Sequence, residues 1–465
     1  MNRDTIKLLK QIVGPEHVTS TPEDLLCYSY DGTGLEFPPA AVAFPGSTAE
    51  VSAIMRLASA TPFPVVPRGA GTGMTGGALP TAGGLVLVMS RLNRILEIDP
   101  DNQVAIVEPG VITGQLREEV GRFGLAYPPD PASFKFCSIG GNVAENAGGP
   151  SAVKYGVTRD YVLGLEAVLA DGRIIKTGVR TAKGVAGYDL TRLLIGSEGT
   201  LAIITKIILR LVAAPEAKRT FLILLDDLGP ATRLVSAILQ AGLLPCTLEY
   251  LDATAIEIVA SSLPFPLQAT VRALLLIELD GDSQVVAAQT EKLRRFISGK
   301  EGVLEIKEAG SDEEVDALWA ARRAVSPAAF KIKPHKQSED VVVPRSRIPE
   351  LVAFTETLNQ EGGIVVFTFG HAGDGNIHVN IMLDRSNSAE VSQAAAAKEK
   401  LFAQVIALGG TLSGEHGIGL TKAPFLPLEF DEATIDIMRA VKDAFDPRHI
   451  LNPGKIFPPA AAEEK

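Results

Sequence analysis

The stretch "GHAGDGNIHVN", Gly370 to Asn380, holds two of the chain's six histidines, His371 and His378, between glycines and an aspartate. Strand-like residues flank a Gly-Asp-Gly turn, so the two imidazoles are expected to face each other across a hairpin. Two neutral imidazoles so placed suit one cation, and a carboxylate would complete the set. "SGEHGIG" supplies Glu415 beside a third histidine, His416. Two His and one carboxylate with open positions fit Zn²⁺ first, with Fe²⁺ and Mn²⁺ as the alternatives. The same histidines also read as core residues hydrogen-bonded to Asp374 and backbone. Three histidines and a glutamate in two glycine-rich motifs, where glycine leaves room for a ligand, favour the metal.

A second candidate is "GTGMTG", Gly71 to Gly76, which follows the strand-like "PVV" and formally matches G-x-G-x-x-G. A dinucleotide-binding loop of that type must open a helix whose N-terminus holds the pyrophosphate. Here "GGALPTAGG" follows, and its proline and glycines forbid a helix. The alternative is a nest, in which successive backbone N–H groups wrap an anion directly. Two further glycine clusters, "SIGGNVAENAGGPSAVKYG" and "GSEGT", strengthen a ligand-binding reading over a bare turn.

The chain that must position these groups has 465 residues, more than the roughly 100–200 of a usual domain, so two domains are expected. An apolar fraction of 46% with 44 glycines and 30 prolines suits an α/β protein with many tight loops. The net charge of −11 argues against nucleic acid or an anionic membrane as partner. Cys27, Cys137 and Cys246 are isolated, which excludes a disulfide framework and a Cys-based cluster. A reducing, cytoplasmic location is expected, with no signal core and no membrane span, and with contact to a membrane only through a partner.

Up to about residue 215, helical and strand patterns alternate. "TAEVSAIMRLASA" reads as a helix with Thr48 as N-cap, "PFPVVPRGAG" as a buried strand, and "LEAVLADGRIIKTG" as a hairpin across Asp171-Gly172. "GGLVLVMS", "RILEID", "QVAIVEPG" and "GTLAIITKIILRLVAAP" are further strands, and Pro215 ends the last. Beyond it, "KRTFLILLDD", "VRALLLIELDG" and "GVLEIKEAG" alternate with helical stretches. That predicts an α+β domain with an antiparallel sheet and helices on one face. "EVDALWAARRAVSPAAF" is a further helix, and "RIPELVAFTETLNQEG" leads into the strand "GIVVFTFG". A helix in "FDEATIDIMRAVKDAFDPRHILNPGKIF" precedes a Pro/Gly-rich tail, and the terminal "AAAEEK" is expected to be frayed.

"PRGAGTGMTGG", "IGGNVAENAGG", "GSEGTLAIIT", "GHAGDGNIH", "SGEHGIG" and "NPGKIF" occur in the order found in FAD-linked oxidases of the vanillyl-alcohol oxidase / p-cresol methylhydroxylase type. The resemblance covers nearly the whole chain and is closest to the D-2-hydroxyacid dehydrogenase branch, which includes D-lactate dehydrogenases and glycolate oxidase flavin subunits. It implies an FAD domain over residues 1–215, a substrate-binding cap with the metal site over 216–425, and a segment from 426 returning to the FAD domain. It implies that Pro67, Arg68, Gly69, Ala70, Gly71, Thr72, Gly73 and Met74 wrap the FAD diphosphate, with Gly77 and Pro131 near. Cys137, Ser138, Gly140, Gly141, Asn142, Ala144, Asn146, Gly148 and Gly149 would line the flavin. Glu198, Gly199 and Ile203 would reach the adenosine and ribose, and Asn452 the ring. Some relatives bond FAD covalently through a histidine in the diphosphate loop or a cysteine in the lining segment. "RGAGTG" has neither, so FAD is expected to be non-covalent, with Cys137 the one residue that bears on that expectation.

The same resemblance implies His371, His378 and Glu415 as metal ligands and oxidation of a small 2-hydroxy acid. The C2 hydrogen would leave as hydride and His416 would take the hydroxyl proton, imidazole titrating near neutral pH. Arg322, at the family's W-x-x-R position, would bind the carboxylate. Asn380, on the same strand face as His378, and more weakly Ser326 would add contacts. Hydroxyglutarate enzymes carry a lysine where this chain has Ser338, with Lys336 nearby, which favours D-lactate or glycolate. A metal-dependent hydrolase would leave the glycine clusters unexplained, and a non-catalytic electron-transfer subunit would not need His416 and Arg322. Electrons would pass to a partner protein, an iron–sulfur subunit or an electron-transferring flavoprotein; a homodimer is compatible with the sequence.

Overall fold

The computed structural model describes residues 1–360 and 363–459, so the terminal "AAAEEK" lies outside the described residues. The chain divides into two compact units. The first comprises residues 1–148, 157–214 and 415–465; the second comprises 149–156 and 215–414.

In the first unit, Ala41–Ala43, Leu85–Val88 and Val65–Arg68 form a parallel sheet, with the helix Thr48–Ala60 crossing between the first and last of these. The strands are apolar at nearly every position because both sheet faces are covered. Ser47, rather than Thr48, caps the helix: its side chain accepts the Glu50 N–H at 3.2 Å. An antiparallel sheet runs in the order Ile95–Asp99, Val104–Val107, Ile203–Arg210, Val162–Val168, Ile174–Gly178. The last two strands are the expected hairpin, with Gly172 at φ +84° in its turn. The C-terminal tail joins this unit where the Val65 N–H donates to Ile450 O at 2.7 Å.

The return to the first unit comes at Glu415, not at 426. Residues 416–421 are held by Thr75 and Glu198, both first-unit residues: Leu420 N–H donates to Thr75 O at 2.7 Å and Gly419 N–H to the Glu198 carboxylate at 2.8 Å.

The second unit is built on a seven-stranded sheet ordered Val303–Glu308, Ala217–Leu225, Ala273–Gly281, Thr247–Asp252, Val365–His371, Asn376–Leu383, His335–Val342. All neighbouring strands in it pair antiparallel. Thr247–Asp252 and Asn376–Leu383 are buried at every residue, so both faces are covered, and the expectation of helices on one face is corrected. One face packs Leu251, Phe367, Phe369 and Met382 against the helices Ala253–Val259 and Asp312–Ala328. That face carries the polar residues of interest. Among the described residues, no helix is long and apolar enough to cross a membrane.

Candidate active site

The first unit contains a cavity of about 240 Å³. Pro67 to Met74, Gly77, Pro131, Cys137, Ser138, Gly140, Gly141, Asn142, Ala144, Glu198, Gly199 and Ile203 line it. Glu415 and His416 line it too. No helix follows the glycine loop, which runs as bends and turns from Gly69 to Ala82. Gly71 sits at φ +72°, and a Cβ there would collide with the Arg68 guanidinium. Arg68 is buried, and its Nη1 has no hydrogen-bond partner. A buried cation beside a glycine loop with free approach to the backbone fits a diphosphate. Gly71→Val is therefore expected to weaken FAD retention roughly 5- to 150-fold, from about 1–3 kcal/mol of strain at a left-handed position. The flavin-to-protein absorbance ratio after purification, read beside a thermal melt, checks this.

Four of the implied flavin residues sit outside that lining. Asn146 is a left-handed helix cap whose side chain accepts the Arg159 N–H at 2.9 Å. Gly148 packs against Glu415, and Gly149 belongs to the second unit. Asn452 is buried and donates to Gly77 O at 2.8 Å and Glu198 O at 2.7 Å, tying the tail to the glycine loop. Cys137 is buried with its Sγ 3.3 Å from Thr113 Oγ1.

In the second unit, His371 ends one strand and His378 lies in the next. Their register is diagonal: His371 pairs with Asn376, and His378 with Phe369. Residues two apart share a strand face, so both imidazoles project to the same side. Their Nε2 atoms stand 3.3 Å apart and the rings meet edge to face. Two imidazole nitrogens so close are a donor pair that would suit a divalent cation such as Zn²⁺.

A buried carboxylate holds the His371 ring. Glu249, in the strand Thr247–Asp252, is fully buried; its Oε1 lies 2.5 Å from His371 Nδ1, and its Oε2 accepts Arg322 Nε at 2.7 Å and pairs with Nη2. A carboxylate on Nδ1 fixes the tautomer that leaves Nε2 for a metal. Burial pushes the Glu249 carboxyl up, but Arg322 and His371 outweigh it and hold its pKa below the usual value. Asp340, also fully buried, lies 3.8 Å from His378 Nδ1 and accepts Asn376 Nδ2 at 2.6 Å and Gly414 N–H at 2.9 Å. The sequence signal for Glu249 was one acid inside the apolar run "TLEYL".

Arg322, on the helix Asp312–Ala328, is buried, with its guanidinium 4.6 Å over the Phe369 ring. Its five N–H donors exceed what one carboxylate oxygen uses. Asn380 is fully buried and its Oδ1 accepts Ser338 Oγ at 3.0 Å. Lys336 Nζ donates to Ser326 Oγ at 2.5 Å and O at 3.1 Å, and burial pulls its pKa down to about 8. Thus the structure groups His371, His378, Asn380 and Arg322 on one face of one sheet. Glu415 and His416 belong to the other unit.

Residues 214–456 match the family "FAD linked oxidases, C-terminal domain", and residues 39–178 match "FAD binding domain". The chain is an FAD-linked oxidase. Among relatives of this oxidase, glycolate oxidase subunit GlcD of Bacillus subtilis (strain 168) is 45% identical, covering 98% of this chain and 97% of that protein. D-lactate dehydrogenase of Anaerostipes hadrus is 37% identical over 88% of each. Substrate-bound p-cresol methylhydroxylase has the same fold at a TM-score of 0.80 and 18% identity, covering 97% of this chain and 96% of that one. The fold class implied by the resemblance is thereby established.

Proposed function

We propose that the chain oxidises a small 2-hydroxy acid, D-lactate or glycolate, to the 2-oxo acid. The observation that carries the reading is the pair of imidazole Nε2 atoms 3.3 Å apart, with Glu249 behind one and Arg322 beside it. The names of the relatives, a glycolate oxidase subunit and a D-lactate dehydrogenase, point to the same substrate class.

FAD, held without a covalent bond by the Pro67–Met74 loop and the Cys137–Ala144 segment, supplies the hydride acceptor. His371 and His378 hold a divalent metal, zinc first, and Glu415 is its third ligand. A cation on the substrate hydroxyl lowers the alcohol's pKa and orients C2. His416 takes the hydroxyl proton. Arg322 binds the carboxylate with donors not engaged by Glu249, and Asn380 adds a hydrogen bond. Electrons leave to a partner protein, an iron–sulfur subunit or electron-transferring flavoprotein, in keeping with the subunit name of the Bacillus relative.

A second reading, a D-2-hydroxyglutarate enzyme, has one observation in its favour: Lys336 is a half-buried ammonium on the same strand as Ser338. Anaerobic stopped-flow with D-lactate, L-lactate, glycolate and D-2-hydroxyglutarate separates these. Fast flavin bleaching by D-lactate or glycolate, lost on chelation and restored by Zn²⁺, is the expected result. Bleaching by D-2-hydroxyglutarate alone would select the second reading, and a flavin yellow with all four would refute both.

A further inference from the structure

Two carboxyls in the first unit have no place in the chemistry above. Glu145 ends the helix Ile139–Glu145, and Glu198 sits at φ +52° in the "GSEGT" turn. Both face the same two glycines. A Cβ on Gly77 would stand 2.8 Å from Glu145 Oε1 and 3.5 Å from Glu198 Oε2. A Cβ on Gly417 would stand 2.9 Å from Glu198 Oε1 and would collide with Glu145 Oε2. The two groups therefore lie side by side between a residue of the glycine loop and the residue after His416.

Their partners differ. Glu198 Oε1 accepts the Ile418 N–H and Oε2 the Gly419 N–H, each at 2.8 Å, so it holds the segment that carries His416. Glu145 Oε2 is buried with no hydrogen-bond partner, and no cation is paired with that carboxyl among the described residues. Like charges so placed cannot both ionise at low cost, and one proton on the pair removes the conflict.

We propose that Glu145 is a positioning residue for His416: its carboxyl shares one proton with Glu198, and this dyad keeps Glu198 on the Ile418 and Gly419 amides. Burial is the main cause that raises both carboxyl pKa values, Glu198 to about 7; the neighbouring Glu198 and Asp31 add to the rise at Glu145. The Ile418 and Gly419 amides, and then Lys455 and Lys422, offset it at Glu198. Arg68, Cys137, Glu415 and His416 are the other charged or titratable groups on the cavity wall. Acids with raised folded pKa values add stability in full below their ordinary value of 4.5, and that stability is lost as pH climbs through the folded values. The dyad thus loosens the His416 segment on the alkaline side.

The inference rests on the proposed role of His416, and one arm of its test does not. FAD-loaded wild type, Glu145→Gln, Glu145→Ala and Glu198→Gln are melted from pH 5 to 9, and flavin reduction by D-lactate and glycolate is followed over the same range. In wild type, the melting temperature is expected to fall as pH rises from 5 through about 7, and the rate with it. Glu145→Gln keeps a donor toward Glu198 and removes one of the two titrating carboxyls, so both declines should become shallower. Glu145→Ala should lower the rate at every pH, and Glu198→Gln should do the same by costing the segment an acceptor. Superimposable pH profiles for wild type and Glu145→Gln would overturn the dyad. If no hydroxy acid reduces the flavin, the melts still decide the dyad, and the failure belongs to the substrate reading.

Discussion

Replacing His416 by Gln is expected to slow anaerobic flavin reduction by about 10²–10⁴-fold, the usual contribution of a positioned general base. The flavin should stay bound, because the cavity wall near His416 is fixed through backbone. Thr75 Oγ1 donates to the His416 carbonyl at 2.9 Å, and Glu198 holds the amides two and three residues on. Glutamine can hydrogen-bond the hydroxyl but cannot take its proton at neutral pH. The decisive readout is the first-order rate of bleaching at saturating substrate, with flavin and metal content measured on the same sample. A rate within a few-fold of wild type would remove His416 from proton transfer and send the search to a metal-bound hydroxide.

The second large effect belongs to Glu249. Removing it as Glu249→Ala leaves the buried Arg322 guanidinium unpaired, a class of change that costs about 3–5 kcal/mol. It also strips His371 Nδ1 of its carboxylate, and losing such a support typically weakens metal binding about 10- to 100-fold. Urea unfolding of the FAD-loaded protein reads the first effect, and metal content after dialysis against a graded chelator reads the second. Glu249→Gln separates them, since it keeps the volume and an acceptor but not the charge on Arg322. Full stability with full metal content in both variants would reduce Glu249 to a packing residue.

The contrast between these two residues shows what the sequence could carry. His416 is legible because its signal is local: glycines on both sides, a glutamate before it, and a second histidine motif upstream. The glycine loop is legible for the same reason, as Pro80 and the glycines around it rule out a helix within a dozen residues. The strand Thr247–Asp252 is not legible as a site element. Its acid at the site, Glu249, has meaning only through His371 and Arg322, 122 and 73 residues away. The return point at Glu415 has the same character. "SGEHGIG" reads as a continuation of the sheet domain until Thr75 and Glu198 are seen to hold it. Even the helix cap moves by one residue, because Ser47 and Thr48 are both good caps and backbone geometry decides between them.

The order in which the ribosome delivers this chain matters for its cofactor. The second unit is almost one continuous run, 215–414, whereas the flavin cavity draws its wall from Pro67 through His416. A nascent chain can complete the seven-stranded sheet while the glycine loop still lacks its partner segment. Domains tend to fold as units during synthesis, so the cofactor pocket is among the last parts to be finished. Until then Glu198 has neither Ile418 nor Gly419 to hold, and Val65 has no Ile450 at its edge. Flavin supply during expression then acts on a chain whose second unit is already complete, and riboflavin-starved cells would accumulate molecules with an intact second unit and an unclosed first one.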